Sequence, residues 1–156
     1  MAKVCLNGAW ELSLPDGFKI LSKEEIEALH AYGEPPRFCI SDPERHILLC
    51  AGWKPAGLAG WLAGVADIAR GAEARIRTPM RQFGYRRDEF CSRLLGGRKA
   101  EGFRYQYQAQ GVYMIGETWV MKENKTIYNI HVYFRRALKE DSRPVIEEIL
   151  GSIRWM

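Results

Sequence analysis

The sequence predicts an α+β fold in which an antiparallel β-sheet of about six strands is covered by helices. Residues 98–135 alternate apolar and polar side chains across two tight turns, as consecutive antiparallel strands do. Residues 142–156 then show the helical spacing of apolar residues. Because strands joined by hairpins alternate with separate helices, the α+β class follows. The length predicts a single domain over residues 1–156.

Two strands and a capped helix are expected near the N-terminus. Residues 10–14 alternate in polarity before a turn at residues 15–17, and a short second strand is expected at residues 18–21. Ser22 and Glu25 have the spacing of a capping box, in which each side chain bonds the other's backbone amide. This spacing predicts that a helix begins here.

A hairpin follows at residues 37–50. With Pro43 and Glu44 as its loop, Ile40 would face Ile47 and Phe38 would face Leu49. These four apolar residues would then share one face of the sheet.

The longest helix is expected from Ala56 to Arg77. Apolar residues recur there at helical spacing and are expected to point inward: Leu58, Trp61, Leu62, Val65, Ile68, Ala69, Ala72 and Ile76. Pro79 pushes the preceding Thr78 out of the helical region, which would end the helix. A loop should then lead into a strand near Glu89 to Leu95.

Two turns set the register of the C-terminal strands. If Gln110 and Gly111 form the first turn, Arg104 lies opposite Glu117. That register places Phe103, Tyr105 and Tyr107 on the same face as Met114, Gly116 and Thr118.

The second turn decides which face the last strand presents. A three-residue loop at Glu123–Lys125 would put the apolar residues of the last strand on the face of Tyr105: Tyr128, Ile130, Val132 and Phe134. A two-residue loop would instead put Asn129 and His131 in the core. We therefore expect the three-residue loop.

A helix is expected to close the chain. Ser142 would cap it, and Pro144 would lie in the first turn, where its missing N–H costs nothing. Its inward residues would be Val145, Ile146, Ile149, Leu150 and Ile153.

Four short segments resemble the Mog1/PsbP-like superfamily: Leu14–Phe18, Gly96–Ala100, Tyr128–Ile130 and Ile149–Ile153. The resemblance is to bacterial members of unknown function, and it implies a sandwich of an antiparallel sheet between helices. It also implies binding rather than catalysis. Some bacterial members look like chaperones for secreted toxins, so a chaperone or adaptor for a secreted polypeptide is the alternative function.

No catalytic, metal or cofactor motif is present. His30, His46 and His131 do not have zinc-ligand spacing, and no phosphate loop or nucleophile elbow occurs. We therefore expect no catalytic residues, no metal and no cofactor.

The cysteines leave one enzyme alternative. None of the four forms a CxxC pair, so free thiols are expected, although Cys39 and Cys50 could share a hairpin face. Cys91 lies near Arg86, Arg87 and Arg93, whose charges would lower the pKa of its thiol. A Cys91-dependent enzyme is thus the third reading.

The chain's charge is concentrated in its middle. Residues 70–104 carry 10 basic and 4 acidic residues, net +6, whereas the whole chain carries +4. An acidic partner would suit this segment. The arginines are spread over several elements and interrupted by acids, which disfavours nucleic acid as the partner.

A binding surface is expected on the basic segment, residues 70–104, and on the outer face of the sheet, which is the face opposite Tyr105. The candidate residues are Arg86, Arg87, Arg104, Trp119, His131, Tyr133 and Arg135. The helix over residues 56–77 could instead cover this face, and a small-molecule pocket is a further alternative.

These features predict a non-enzymatic binding or accessory module for a protein or peptide partner, and a homodimer is possible.

The N-terminal segment has no signal-peptide core, and the apolar run at residues 56–69 contains Asp67 and is too short to cross a bilayer. We therefore expect a cytoplasmic protein without a membrane span.

Overall fold

The computed structural model describes residues 2–29 and 35–156, and it confirms the α+β class. The strands are β1 Ala2–Leu6, β2 Trp10–Leu14, β3 Lys19–Ile20, β4 Phe38–Asp42, β5 Ile47–Pro55, β6 Arg86–Leu95, β7 Arg98–Ala109, β8 Val112–Glu123, β9 Thr126–Arg135 and β10 Arg154–Trp155. The helices are α1 Lys23–Leu29, α2 Gly57–Leu62, α3 Val65–Met80 and α4 Lys139–Gly151. Single 3₁₀ turns follow α3 (Arg81–Phe83) and precede α4 (Arg136–Leu138). His30 lies outside the described residues.

Within the described residues, seven strands form one antiparallel sheet in the order β3-β4-β5-β9-β8-β7-β6. A separate three-stranded sheet, β1-β2-β10, joins the two ends of the chain. The sequence does not predict its first and last strands, because each is short and lacks a clear alternation of apolar and polar residues.

The large sheet is covered on both faces. On the front face, defined by Leu49, Trp119 and Ile130, the sheet packs against α4 and the small sheet. On the back face, defined by Val120 and His131, α1 and α3 cover separate patches. The large sheet is therefore sandwiched between α4 with the small sheet on one face and α1 with α3 on the other.

The predicted three-residue loop between β8 and β9 is wrong. Glu123 pairs with Thr126, which leaves a two-residue turn, and Asn124 adopts a φ of 54° there. Trp119 consequently pairs with Ile130 on the front face.

The same turn sends His131 to the back face beside Thr118. There the Thr118 hydroxyl and His131 Nδ1 share a hydrogen bond of 2.9 Å. Because the back face is only half-buried at His131, a polar ring is accommodated without entering the apolar core. A two-residue turn therefore does not force His131 into the apolar core, as the sequence had suggested it would.

The other two hairpins keep their predicted faces. Ala109 pairs with Val112 around the expected turn, and Arg104 lies opposite Glu117. In the first hairpin the register is shifted: Ile40 pairs with Leu49 rather than Ile47. The shift is an even number of residues, so the predicted face is unchanged.

Asp42 explains the longer loop of that first hairpin. Its buried carboxylate accepts hydrogen bonds from the backbone amides of Glu44 and Arg45, at 3.1 and 3.2 Å. These bonds stabilise a four-residue turn at residues 43–46 in place of the expected two-residue loop.

The predicted helix from Ala56 to Arg77 is two helices. The chain is extended at Ala63 and Gly64, which separates α2 from α3. The α3 helix continues to Met80 with Pro79 in its last turn, where the proline removes a hydrogen bond only at the end of the helix. The strand after it begins at Arg86, before the expected Glu89.

The helix ends follow the sequence rules at α1 but not at α4. Ser22 Oγ accepts from the Glu25 amide at 3.1 Å, and Glu25 Oε1 accepts from the Ser22 amide at 3.0 Å, as the capping box predicts. The α4 helix begins at Lys139, so Ser142 does not cap it but is buried inside it. Pro144 accordingly lies beyond the first turn.

Cys39 and Cys50 are cross-strand partners beneath α1. Both are fully buried, and their Sγ atoms lie 2.6 Å apart. The contact with Cys39 and burial together raise the pKa of the Cys50 thiol, so Cys50 stays protonated at neutral pH.

Gly116 of β8 should not accept a side chain unless the Tyr105 ring moves. A Cβ at this position would lie 2.2 Å from the Tyr105 ring. A Cβ at Gly151, at the end of α4, would have no neighbouring atom within 4 Å. We expect Gly116→Ala to lower the free energy of unfolding by about 1–3 kcal/mol. Urea denaturation should show this loss, and Gly151→Ala, the matched control, should show none. Equal stability of the two variants would contradict the ring contact.

Candidate functional site

A basic cleft of about 400 Å³ lies where α3 meets the first residues of β6. Glu73 and Arg77 come from α3, one turn apart, and Arg81 from the 3₁₀ turn that follows. Gly84 then reverses the chain with a φ of 70°, which brings Tyr85 and Arg87 back to face the helix. These five side chains line the cleft.

Glu73 is the buried centre of the cleft, with 1% of its surface exposed. Arg77 Nε donates to Glu73 Oε2 at 3.0 Å, and a second nitrogen of the same guanidinium binds Oε1. The Tyr85 hydroxyl donates to Oε2 at 2.7 Å, and Arg87 reaches Oε1 at 3.4 Å. Both carboxylate oxygens are therefore satisfied.

These contacts keep Glu73 ionised. Hydrogen bonds from Arg77 lower the pKa of the Glu73 carboxyl below its usual value, with a smaller contribution from Tyr85, and they outweigh the opposing effect of burial. Burial and the bond to Glu73 raise the pKa of the Tyr85 hydroxyl, so Tyr85 remains a donor at neutral pH.

The cleft has an excess of positive charge. Three arginines, Arg77, Arg81 and Arg87, face the single carboxylate of Glu73, a formal excess of two. Arg81 is exposed and forms no ion pair with any carboxylate of residues 2–29 and 35–156. An anionic group entering the cleft would therefore find guanidinium donors that are not fully used.

A row of aromatic rings continues from the cleft along the back face. The Tyr85 and Tyr105 ring centroids lie 5.2 Å apart, and those of Tyr105 and Tyr107 lie 5.8 Å apart. On the other side of the cleft, Arg87 stacks over Phe90 with its guanidinium carbon 4.5 Å from the ring centroid. Aromatic and cationic surfaces are therefore adjacent, as is common at binding sites.

The structure separates the seven predicted site residues into three places. Arg87 lines the cleft, and Arg86 lies next to it, exposed and 3.8 Å from Asp88. Arg104 and Trp119 lie on the front face, where Trp119 is 1% exposed and forms part of the core. Trp119 is therefore not accessible to a partner in this structure.

Arg104 is engaged inside the protein. Its Nε donates to the buried Glu117 at 3.1 Å and another nitrogen donates to Glu89 at 3.1 Å, while Arg143 of α4 also binds Glu117. Arg104 thus holds a core carboxylate.

The remaining three predicted residues lie on the back face. His131 and Tyr133 are half-buried and stacked, with ring centroids 6.4 Å apart, and Arg135 is half-buried at the end of β9. The expectation that Trp119 shares their face is wrong, because the two-residue turn places it on the other side. Binding by any of the seven residues stays a prediction.

Four cleft residues were missed: Glu73, Arg77, Arg81 and Tyr85. A signal for one pair exists, because Glu73 and Arg77 have the (i, i+4) spacing of a helical ion pair within a basic stretch. The sequence contains no comparable signal for Tyr85, which is brought to the cleft by the turn at Gly84.

Cys91 has a different environment from the one expected. It lies on the front face opposite Gly102, and burial is the main cause that raises the pKa of its thiol. Arg104, rather than one of the arginines expected from the sequence, is the main residue that lowers that pKa, and it does not compensate for burial. The thiol is therefore less nucleophilic than a free one at neutral pH.

The described residues contain neither a membrane-spanning helix nor a cluster of metal ligands. No helix within residues 2–29 and 35–156 has both the length and the apolar character to cross a bilayer. Over the same residues, no three or more His, Cys, Asp or Glu side chains converge as metal ligands would.

Comparisons with known proteins find similarity at the level of structure. No protein-family model matches the chain, and no curated protein matches it by sequence. The solution structure of the cyanobacterial PsbP from Synechocystis aligns with a TM-score of 0.70 and 10% identity, over 99% of this chain and 92% of the other.

Two further bacterial structures align over most of their length. LpqN of Mycobacterium tuberculosis, described as involved in cell envelope biogenesis, has a TM-score of 0.62 and 13% identity, over 94% of this chain and 83% of LpqN. The Pseudomonas aeruginosa protein PA94, of unknown function, has a TM-score of 0.52 and 14% identity, over 97% and 94%.

The fold class is therefore that of the Mog1/PsbP-like proteins, an antiparallel sheet sandwiched between helices. This confirms the fold that the resemblance in the sequence implied. At 10–14% identity the likeness establishes the fold and carries no residue roles across.

Glu73→Gln should destabilise the protein in a pH-dependent manner. The folded-state pKa of Glu73 lies below the unfolded value of about 4.5. Its contribution to the free energy of unfolding is therefore fully present above pH 4.5 and is lost as the pH falls through the folded-state pKa. We expect a loss of about 1–3 kcal/mol at neutral pH that shrinks in acid. Urea unfolding at several pH values measures this, with the exposed Glu148→Gln as control. A deficit that does not depend on pH would contradict the ionised state.

Cys91 should react slowly with iodoacetamide. Its raised pKa reduces the thiolate fraction at neutral pH, and the half-buried position limits access. Time-resolved labelling read by peptide mass spectrometry should show Cys91 slower than the same peptide when unfolded and slower than the exposed Cys5. Labelling of Cys91 faster than both references would instead support the hypothesis of an enzyme that uses Cys91.

Proposed function

We propose that this chain is a non-enzymatic accessory module that binds an acidic peptide segment of a partner protein at the basic cleft. The observation that carries the proposal is the unbalanced charge of the cleft, which is lined by three arginines and one buried carboxylate. The likeness to PsbP and LpqN agrees with an accessory or binding role.

Glu73 gives the cleft its preorganised geometry. It holds Arg77 by two hydrogen bonds and contacts Arg87, so that neither side chain must be ordered when a ligand arrives. Ordering a long side chain on binding costs about 0.5–1.5 kcal/mol, and this cost is reduced where the side chain is already held. The remaining N–H groups of these arginines can donate to a ligand carboxylate.

The surroundings of the cleft favour a peptide over a nucleic acid. Asp88 and Glu89 follow Arg87 directly, so the positive surface is short and bounded by acids. A nucleic-acid backbone requires a longer run of phosphate contacts. A short acidic segment with an aromatic or apolar residue would instead place its carboxylates among the arginines and its side chain against Phe90 or Tyr85.

Arg81→Glu should weaken binding of an acidic peptide. Arg81 is chosen because it lines the cleft without contacting Glu73, so its replacement leaves the internal ion pairs intact. Fluorescence anisotropy with a labelled glutamate-rich peptide at low ionic strength should show about a fivefold or greater loss of affinity. Arg154→Glu, an equal change of charge at an exposed arginine of β10, is the matched control.

Three results would count against the proposed function. They are the absence of saturable peptide binding by the wild-type protein, an equal loss in both variants, and tighter binding of a single-stranded oligonucleotide than of the peptide. Added salt should weaken the wild-type interaction and narrow its difference from Arg81→Glu.

A further inference from the structure

The α2 helix presents its large apolar side chains to solvent. Leu58, Trp61 and Leu62 are 77%, 51% and 74% exposed. All three lie on this helix of six residues, which is about 9 Å long. Three large exposed apolar residues in so short a segment form a ridge, which we call the α2 ridge. Contiguous exposed apolar surface of this kind commonly marks an interaction site.

The opposite side of α2 is anchored, so the ridge cannot turn inward. A Cβ at Gly60 would lie 2.9 Å from Ile127 Cδ1, which shows how closely the helix backbone approaches β9. Lys122 Nζ donates to the carbonyl oxygens of Gly60, Trp61 and Ala63 at 3.2, 2.9 and 2.8 Å. These bonds satisfy the carbonyl groups that the helix end leaves unpaired and fix its orientation.

The surface beside the ridge is apolar and edged by lysines. A shallow depression of about 460 Å³ is lined by Pro55, Ala56, Gly57, Leu58, Trp61 and Lys125. Lys125 is exposed, as is Lys54 immediately before this segment.

The lysines at the ridge carry uncompensated charge. The acidic residues nearest in sequence are already paired, Asp67 with Arg70 and Glu123 with Arg98. Among residues 2–29 and 35–156, neither Lys54 nor Lys125 forms an ion pair with a carboxylate. The ridge therefore combines exposed apolar side chains with free cations.

We propose that the α2 ridge is a contact site for the surface of an anionic lipid bilayer. Leu58, Trp61 and Leu62 enter the interfacial layer, and Lys54 and Lys125 lie among the negatively charged headgroups. Leucine and tryptophan beside lysines are the composition that binds at such interfaces, where a tryptophan ring is apolar at one end and polar at the other. Anionic lipid attracts each nearby lysine.

A second copy of the chain fits this surface less well. A stable protein interface needs about 800 Å² from each partner, more than three side chains on a two-turn helix supply. Two identical ridges would also bring their lysines together. This inference goes beyond the peptide cleft, since no residue of that cleft takes part.

Vesicle flotation and tryptophan fluorescence test the proposal on the full chain. The probes are phosphatidylcholine vesicles with and without phosphatidylglycerol. The wild-type protein should float with the anionic vesicles only, with a blue shift of emission and quenching by brominated lipid that Trp61→Phe removes. Trp61 suits this use because it is more exposed than the half-buried Trp53 and Trp155.

Variants separate the apolar and the charged parts. The double variant Leu58→Ser/Leu62→Ser should lose at least tenfold in vesicle affinity, and Lys54→Glu/Lys125→Glu should lose binding to anionic vesicles. Leu94→Ser is the matched control, because Leu94 is 66% exposed on β6 outside the ridge. Circular dichroism should show all these proteins folded, since each changed side chain is exposed.

Any of four outcomes overturns the proposal. The first two are absence of vesicle binding by the wild-type protein and equal binding by the double leucine variant. The third is a loss of vesicle binding in Arg81→Glu with none in the ridge variants, which would assign the attraction to the cleft arginines. The fourth is a dimer in sedimentation velocity, or capture of an apolar peptide, that the double leucine variant abolishes without any vesicle binding. The peptide assay with Arg81→Glu remains a separate test of the cleft.

Discussion

The two-residue turn at Asn124 and Lys125 determines where every side chain of the central strands points. It joins β8 to β9, which lie in the middle of the seven-stranded sheet, and a shift of one residue there would exchange the two faces of the strand. In the observed register Trp119 contributes to the front core, whereas His131 joins the back face. The packing of α4 on one side and of α3 on the other depends on this assignment.

Buried carboxylates organise the arginines on both sides of the sheet. Glu117 lies in the front core between Arg104 and Arg143, and Glu73 of α3 lies at the back between Arg77 and Arg87. A buried charge is costly unless it is paired and hydrogen-bonded, so these arginines are needed inside the protein. Around Glu73 the cations outnumber the acid, and the surplus makes the cleft a candidate anion site.

The apolar spacing of residues 56–77 predicts one inward stripe, but the structure divides these residues between two helices with different roles. The break at Ala63 and Gly64 allows α3 to bury Ala69 and Glu73 against the sheet, while α2 turns its leucines outward. Periodicity identifies a helix face but not the surface that face contacts. Lys122 decides the question here, because its bonds to the α2 carbonyls hold the helix with its apolar side away from the sheet.

The sequence by itself determined the features that depend on neighbouring residues. These include the capping box at Ser22 and Glu25, the turn at Gln110 and Gly111, and hence the antiparallel α+β class. Only the tertiary structure decided the facing of β9, because helices cover both sides of the sheet and polarity no longer distinguishes the core side. It also decided the cleft, whose side chains come from a helix, a turn and a strand and meet only when the chain reverses at Gly84.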